Sequence, residues 1–205
     1  MEVYTNFRIL SNDLDKIANS YIMMIQNLYI EDLFFIAIID KSIKLIDSFL
    51  FALANKNITV LATLTRIQMD CALRAFAVTI AKNSNEFCHN VLTYKKPINT
   101  LTDTNNNKLS DKYLCKKLES YIKLPVYDLY KKVCGFVHFS SESFYNIANV
   151  QEPNELNIFV SRQNRDDNKK EFERLSLELA NQFFFFGSIL IEDIFASWLE
   201  HEQDN

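Results

Sequence analysis

A chain of 205 residues, 48% of them hydrophobic, is long enough to bury one sizeable core and needs no second domain, so residues 1–205 read as a single helical domain. Two glycines and three prolines lie far below the usual shares of roughly 7% and 5%, which argues against a turn-rich β-sandwich or barrel and points to long helices. A net charge of −4 supplies no global basic field to draw the chain onto nucleic acid or an anionic bilayer, so any anion site must be local.

From Asn12 or Asp13 to about Tyr29, the residues Leu14, Ile17, Ala18, Tyr21, Ile22, Ile25 and Leu28 recur at three and four, and Asp13 or a neighbour is placed to cap that helix. A second helix runs from about Glu31 to Asn55, with a wide apolar face that includes Phe34, Phe35, Ile38, Ile39, Leu45, Ile46 and Phe49. A third spans Ile58 to Lys82. Leu61, Leu64, Ile67, Met69, Leu73, Phe76 and Val78 cover most of its circumference, yet Arg66, Asp70 and Arg74 line one face at four-residue intervals. At the surface such a row is a ladder of weak ion pairs. On a helix buried on several sides it must be paired, or it must line a polar cleft.

Asn83 to Tyr94 reads as a short helix, and the stretch from Lys95 to Lys108, with Pro97 and three consecutive asparagines, as a loop. Ser110 caps a helix that ends near Lys123, with Asp111 near the positive end of its dipole. Pro125 suits the first turn of the next helix, which carries Tyr127, Lys131, Cys134 and His138 along one face, with Gly135 beside them. Ser140 and Ser141 compete for backbone hydrogen bonds and end it just after His138. LNIFVS, Leu156 to Ser161, has strand character. The last helix runs from about Asp167 to Glu202. Its four consecutive phenylalanines, Phe183 to Phe186, point in four directions, so it is either buried all round or partly covered by a second subunit, and we expect a homodimer through it. The expected fold class is mainly α: a bundle of about six helices with one short strand or hairpin before a long C-terminal helix.

Cys71, Cys88, Cys115 and Cys134 form no C-x-x-C pair, the N-terminus lacks a basic region followed by an apolar one, and the apolar runs are too short to span a bilayer. The expectation is a soluble cytoplasmic protein with free thiols and no membrane contact. The nucleotide-loop, dinucleotide, nucleophile-elbow and zincin motifs are all missing, so no cofactor is expected. His89, His138 and His201 lack metal-ligand spacing, so no metal is expected either.

His138 is the candidate catalytic residue, a general acid/base that titrates near neutral pH. Arg66, Arg74, Lys131 and Lys132 are candidates for binding an anion such as a phosphodiester, supported by Asp70, Tyr127, Gly135 and Ser140. The plain alternative for His138 is a partly buried histidine bonded to a backbone carbonyl.

The segment KKVCGFVH, in a helical chain, resembles the HEPN superfamily, in which arginine precedes a catalytic histidine by four to six residues. The resemblance implies a dimeric, metal-independent RNase of toxin–antitoxin or abortive-infection type. Here the arginine position falls on Lys131, Lys132 or Val133, and lysine lacks the planar two-pronged grip on phosphate. RIQMDCALR and VCGFVHFS are also similar to a group of uncharacterised bacterial helical proteins, which carries a fold expectation without an activity. The function expected is therefore a HEPN-like RNase or RNA-binding effector in phage defence. The alternatives are a non-catalytic protein-interaction module and a helical pocket for a small anionic ligand. Whether His138 and Arg66 share one solvent-reachable cavity discriminates among them.

Overall fold

Val3, Phe7, Leu10, Leu14 and Ile17 follow one another at intervals that keep a single stripe of a helix facing inward. In the computed structural model, which describes residues 2–24, 28–138, 148–152, 155–158 and 169–195, helix α1 accordingly spans Glu2–Met24 and starts well before the cap expected at Asn12 or Asp13. Asp13 instead pairs with Lys16 at 3.1 Å on the exposed side of the helix. Burial of Phe7 and Leu10 outweighs the local preference of asparagine and aspartate for a helix start.

Helix α2 (Ile30–Ala54) opens with the Asp32 carboxylate accepting from the Tyr29 amide at 2.6 Å, and α3 (Ile58–Ile80) with Asn57 accepting from the Val60 amide at 3.1 Å. Helix α4 (Ser84–Cys88), capped by Asn83, passes straight into a π-helical turn, His89–Thr93, where one regular helix was expected. The loop that follows is anchored on Asp103. Its carboxylate accepts from the amides of Asn105 and Asn107, from the Asn107 side chain and, at 2.5 Å, from the Tyr113 hydroxyl, while Asn106 takes the left-handed conformation (φ 62°).

Ser110 caps α5 (Asp111–Ile122) by accepting from the Tyr113 amide at 3.3 Å, and Lys123 closes it in a left-handed conformation. Helix α6 (Val126–Val137) has Pro125 as its N-cap, one position earlier than a first-turn proline, and turns extended at His138. Ser140 and Ser141 lie outside the described residues. Strand β1 (Ala148–Glu152) pairs antiparallel with β2 (Glu155–Ile158), with Ala148 opposite Ile158 and Val150 opposite Leu156. Helix α7 (Lys169–Ile189) continues into a π-helical turn, Leu190–Phe195. The expected strand residues beyond Ile158, and Trp198 and Leu199 of the last helix, lie outside the described residues. The fold is mainly α.

Helix α3 is the hub. It packs against α2, α5, α6 and α7, and its Leu61, Ala62, Met69, Ala72, Leu73 and Ala75 are fully buried. Beside it the rings of Phe7, Phe49 and Phe183 form a triangle with centroids 4.8 to 5.1 Å apart, joining α1, α2 and α7. Phe186 is fully buried and Phe184 and Phe185 are half-buried against the same core. Packing within the chain therefore accounts for the four phenylalanines without a second copy. Among the described residues no helix is long and apolar enough to cross a membrane.

At Gly187 α7 comes so close to α1 that an added Cβ would lie 2.6 Å from a Leu10 methyl. Gly187→Ala should destabilise the chain by up to about 2 kcal/mol, since overpacking of about 1–3 kcal/mol is offset by the roughly 1 kcal/mol gain in helix propensity. In a Leu10→Ala background the same change should become neutral or stabilising. Urea unfolding of the four proteins in that cycle reads both effects.

Candidate functional site

Arg66, Asp70 and Arg74 occupy successive turns of α3, on the side where α5 and α6 cross it. Two positive side chains and one negative on a largely buried helix leave one charge to be matched from elsewhere. Asp111, the first residue of α5, supplies it. Its carboxylate meets Arg74 Nη2 at 2.6 Å and lies 3.6 Å from Arg66 Nη2. Asp70 contacts Arg66 through Oδ2 and lies 3.6 Å from Arg74 Nη2 through Oδ1. The two guanidinium groups and the two carboxylates sum to zero charge.

Helix α6 closes the cluster. The Tyr130 hydroxyl donates to Asp111 Oδ2 at 2.5 Å and accepts from Arg66 Nη2. The Arg66 guanidinium also stacks 3.9 Å from the centroid of the Tyr130 ring, a cation–π arrangement, and its Nε donates to Cys134 Sγ at 3.1 Å. The Arg66 side chain is 15% exposed and that of Asp111 36%, so the cluster is sealed at the α3 end and open to water at the α5 end. Arg74 Nη1 is buried without a hydrogen-bond partner, so Arg74 is held through its other nitrogen.

These contacts set the protonation states. Burial pushes the Asp111 carboxyl up, but the Tyr130 hydroxyl and the Arg74 and Arg66 charges outweigh it and hold the group below the ordinary carboxylate range. Burial, followed by the bond to Asp111, raises Tyr130 and keeps its phenol a donor. For Arg66 burial opposes the charge, and the bond and attraction to Asp70 outweigh it, so its pKa is raised. The buried thiols of Cys88 and Cys115 are each pushed up to about 12 by burial, and all four cysteines are free.

The other sequence candidates lie around this cluster. Lys131 pairs with Asp128 at 2.8 Å and sits 4.9 Å from the ring centroid of Tyr127, and Lys132 pairs with Glu178 of α7. The Tyr127 amide donates to Glu119 at 2.8 Å. Gly135 is half-buried on α6. His138 is exposed just past the end of α6, one turn beyond the Cys134 that touches Arg66. Ser140 lies outside the described residues. The cavity of about 530 Å³ beside α4 is lined by neither Arg66 nor His138. Among the described residues no three His, Cys, Asp or Glu side chains converge as a metal site requires.

Sequence reasoning missed Tyr130 as a partner and read Asp111 only as a dipole residue. The available signal was the unmatched positive charge of the α3 row, which demands a second carboxylate from another element. No family model, characterised protein or solved structure matches the chain.

Tyr130→Phe should cost roughly 1–3 kcal/mol, because Asp111 loses a donor and Arg66 an acceptor in a part-buried site. Asp111 has a lowered folded pKa, so its contribution is full above the unfolded value of about 3.9 and is lost as pH falls through the folded value. Asp111→Asn should therefore lower stability near neutral pH and flatten its decline below about pH 4. Urea unfolding at a series of pH values measures both.

Proposed function

We propose that the chain is a non-catalytic helical interaction module that docks a protein partner through the corner between α1 and α2. The observation that carries this reading is the apolar surface there. Ile22, Met23, Leu28, Tyr29 and Leu33 are all exposed, Met23 at 89% and Leu28 at 61%, where a surface helix ordinarily shows polar groups. The state of the cations supports it. Arg66 and Arg74 are matched by Asp70 and Asp111, Lys131 by Asp128 and Lys132 by Glu178, so a phosphodiester would have to displace a carboxylate at each. The Arg66, Asp70, Arg74 row then acts as an internal lock that ties α5 and α6 to α3.

One observation favours a HEPN-like RNase as the second reading. The His138 imidazole is exposed at the end of the helix whose Cys134 touches Arg66, so a substrate could reach it. In that reading His138 is the acid/base, and the charge cluster positions α6 without gripping phosphate.

Two measurements separate the readings. In sedimentation velocity, with a second copy as the partner, the parent should associate and Met23→Glu with Leu28→Glu should remain monomeric at an unchanged melting temperature. A parent that stays monomeric at about 100 µM excludes a second copy as the partner. Incubated with total RNA in EDTA, the parent should leave the RNA intact; cleavage that disappears in His138→Ala would overturn the interaction reading in favour of the RNase.

A further inference from the structure

The cavity beside α4 is lined by no residue of the charge cluster and by none of the exposed apolar residues at the α1–α2 corner. Its volume of about 530 Å³ falls within the range of small-molecule sites, and its lining sets lysines and amides beside Phe87 and Leu101. Asn90, on the π-helical turn, is only 7% exposed, yet among the described residues its side-chain amide makes no hydrogen bond. Neither of its amide atoms is among the buried polar atoms sealed from solvent, so the group keeps access to the cavity that the residue lines. An amide that reaches the cavity without a protein partner is open to a polar group from outside the chain, water or a ligand. Such π-helical insertions often mark functional positions.

Around Asn90 stand Lys82, Lys96 and Glu86, with Phe87 and Leu101 as an apolar floor. Among the described residues neither lysine is matched by a carboxylate, in contrast to Arg66, Arg74, Lys131 and Lys132, and Lys96 lies 5.9 Å from the centroid of the Tyr94 ring. With Glu86 included the lining carries one net positive charge. Both walls are held before anything binds. On one side Glu31 of α2 accepts from Ser84 Oγ at 3.2 Å and from Asn85 Nδ2 at 3.0 Å. On the other, the loop is clamped by the Asp103 bonds described above and by a bridge between Ala81 and Asp103.

We infer that this cavity is a binding site for a small organic carboxylate with an apolar body. The two lysines attract the carboxylate, Asn90 bonds its polar edge, and Phe87 and Leu101 take the hydrocarbon part. A single negative charge on the ligand matches the single net positive charge of the lining. The inference does not depend on the docking surface or on His138.

The test is a titration of the isotopically labelled parent with benzoate, inorganic phosphate and benzyl alcohol, followed by NMR at the Asn90 side-chain amide and the Phe87 ring. Benzoate at millimolar concentrations should shift both saturably, and phosphate and benzyl alcohol should shift them at least tenfold less. Combining Lys82→Ala with Lys96→Ala should weaken benzoate binding at least tenfold at an unchanged melting temperature. The site is overturned by benzoate giving no saturable shift at Asn90, or by equal binding in the double variant. Phosphate acting as strongly as benzoate overturns the apolar body, and benzyl alcohol acting as strongly overturns the carboxylate.

Discussion

Two guanidinium groups ride on the helix at the middle of the core, and the arrangement of α5 and α6 follows from the need to neutralise them. An isolated buried charge is far more costly than any single packing contact, whereas a matched and hydrogen-bonded set is tolerated. Asp70 provides half of the compensation from α3 itself. The other half comes from Asp111, which binds well only when the start of α5 lies against the middle of α3. Tyr130 then bridges Asp111 and Arg66, which fixes the rotation of α6 about its own axis. Desolvating the four charges offsets much of their mutual attraction, so the main effect of the cluster is on the orientation of α5 and α6.

The two polar regions of the molecule obey different rules. In the charge cluster each cation has its anion, although Arg66 Nη1, Asp70 Oδ1 and Arg74 Nη1 are buried without a hydrogen bond among the described residues. Beside α4, among the described residues, Lys82 and Lys96 pair with no carboxylate and the Asn90 amide has no side-chain hydrogen bond, while the backbone behind them is held firmly by Glu31 and Asp103. A rigid frame that leaves its polar side chains unused is the arrangement of a recognition surface, and a frame that consumes them is that of a joint.

Much of this architecture was legible in the chain. Helix periodicity located α2, α3, α5 and α6 to within one or two residues, and Ser110 and Pro125 marked the starts of α5 and α6. The beginning of α1 was hidden, since Asn12 and Asp13 resemble a cap and only packing onto α7 shows that Phe7 and Leu10 belong to the same helix. The Arg66, Asp70, Arg74 row was visible, but its completion by Asp111 and Tyr130 was not, because contacts across 37 and 64 positions leave no periodic trace. His138 drew attention as a lone histidine at a helix end. Asn90 did not, because an asparagine in a short polar helix has no pattern to mark it, and its missing partner exists only in three dimensions.

The ring triangle of Phe7, Phe49 and Phe183 ties the first helix to the last. At ordinary translation rates of about 5–20 residues per second, roughly 7 to 27 seconds separate synthesis of Phe49 from that of Phe183. During that interval the nascent polypeptide has no α7 to cover α1 or the buried flank of α3. The early helices therefore emerge from the ribosome with apolar faces exposed that only the later synthesis of α7 covers.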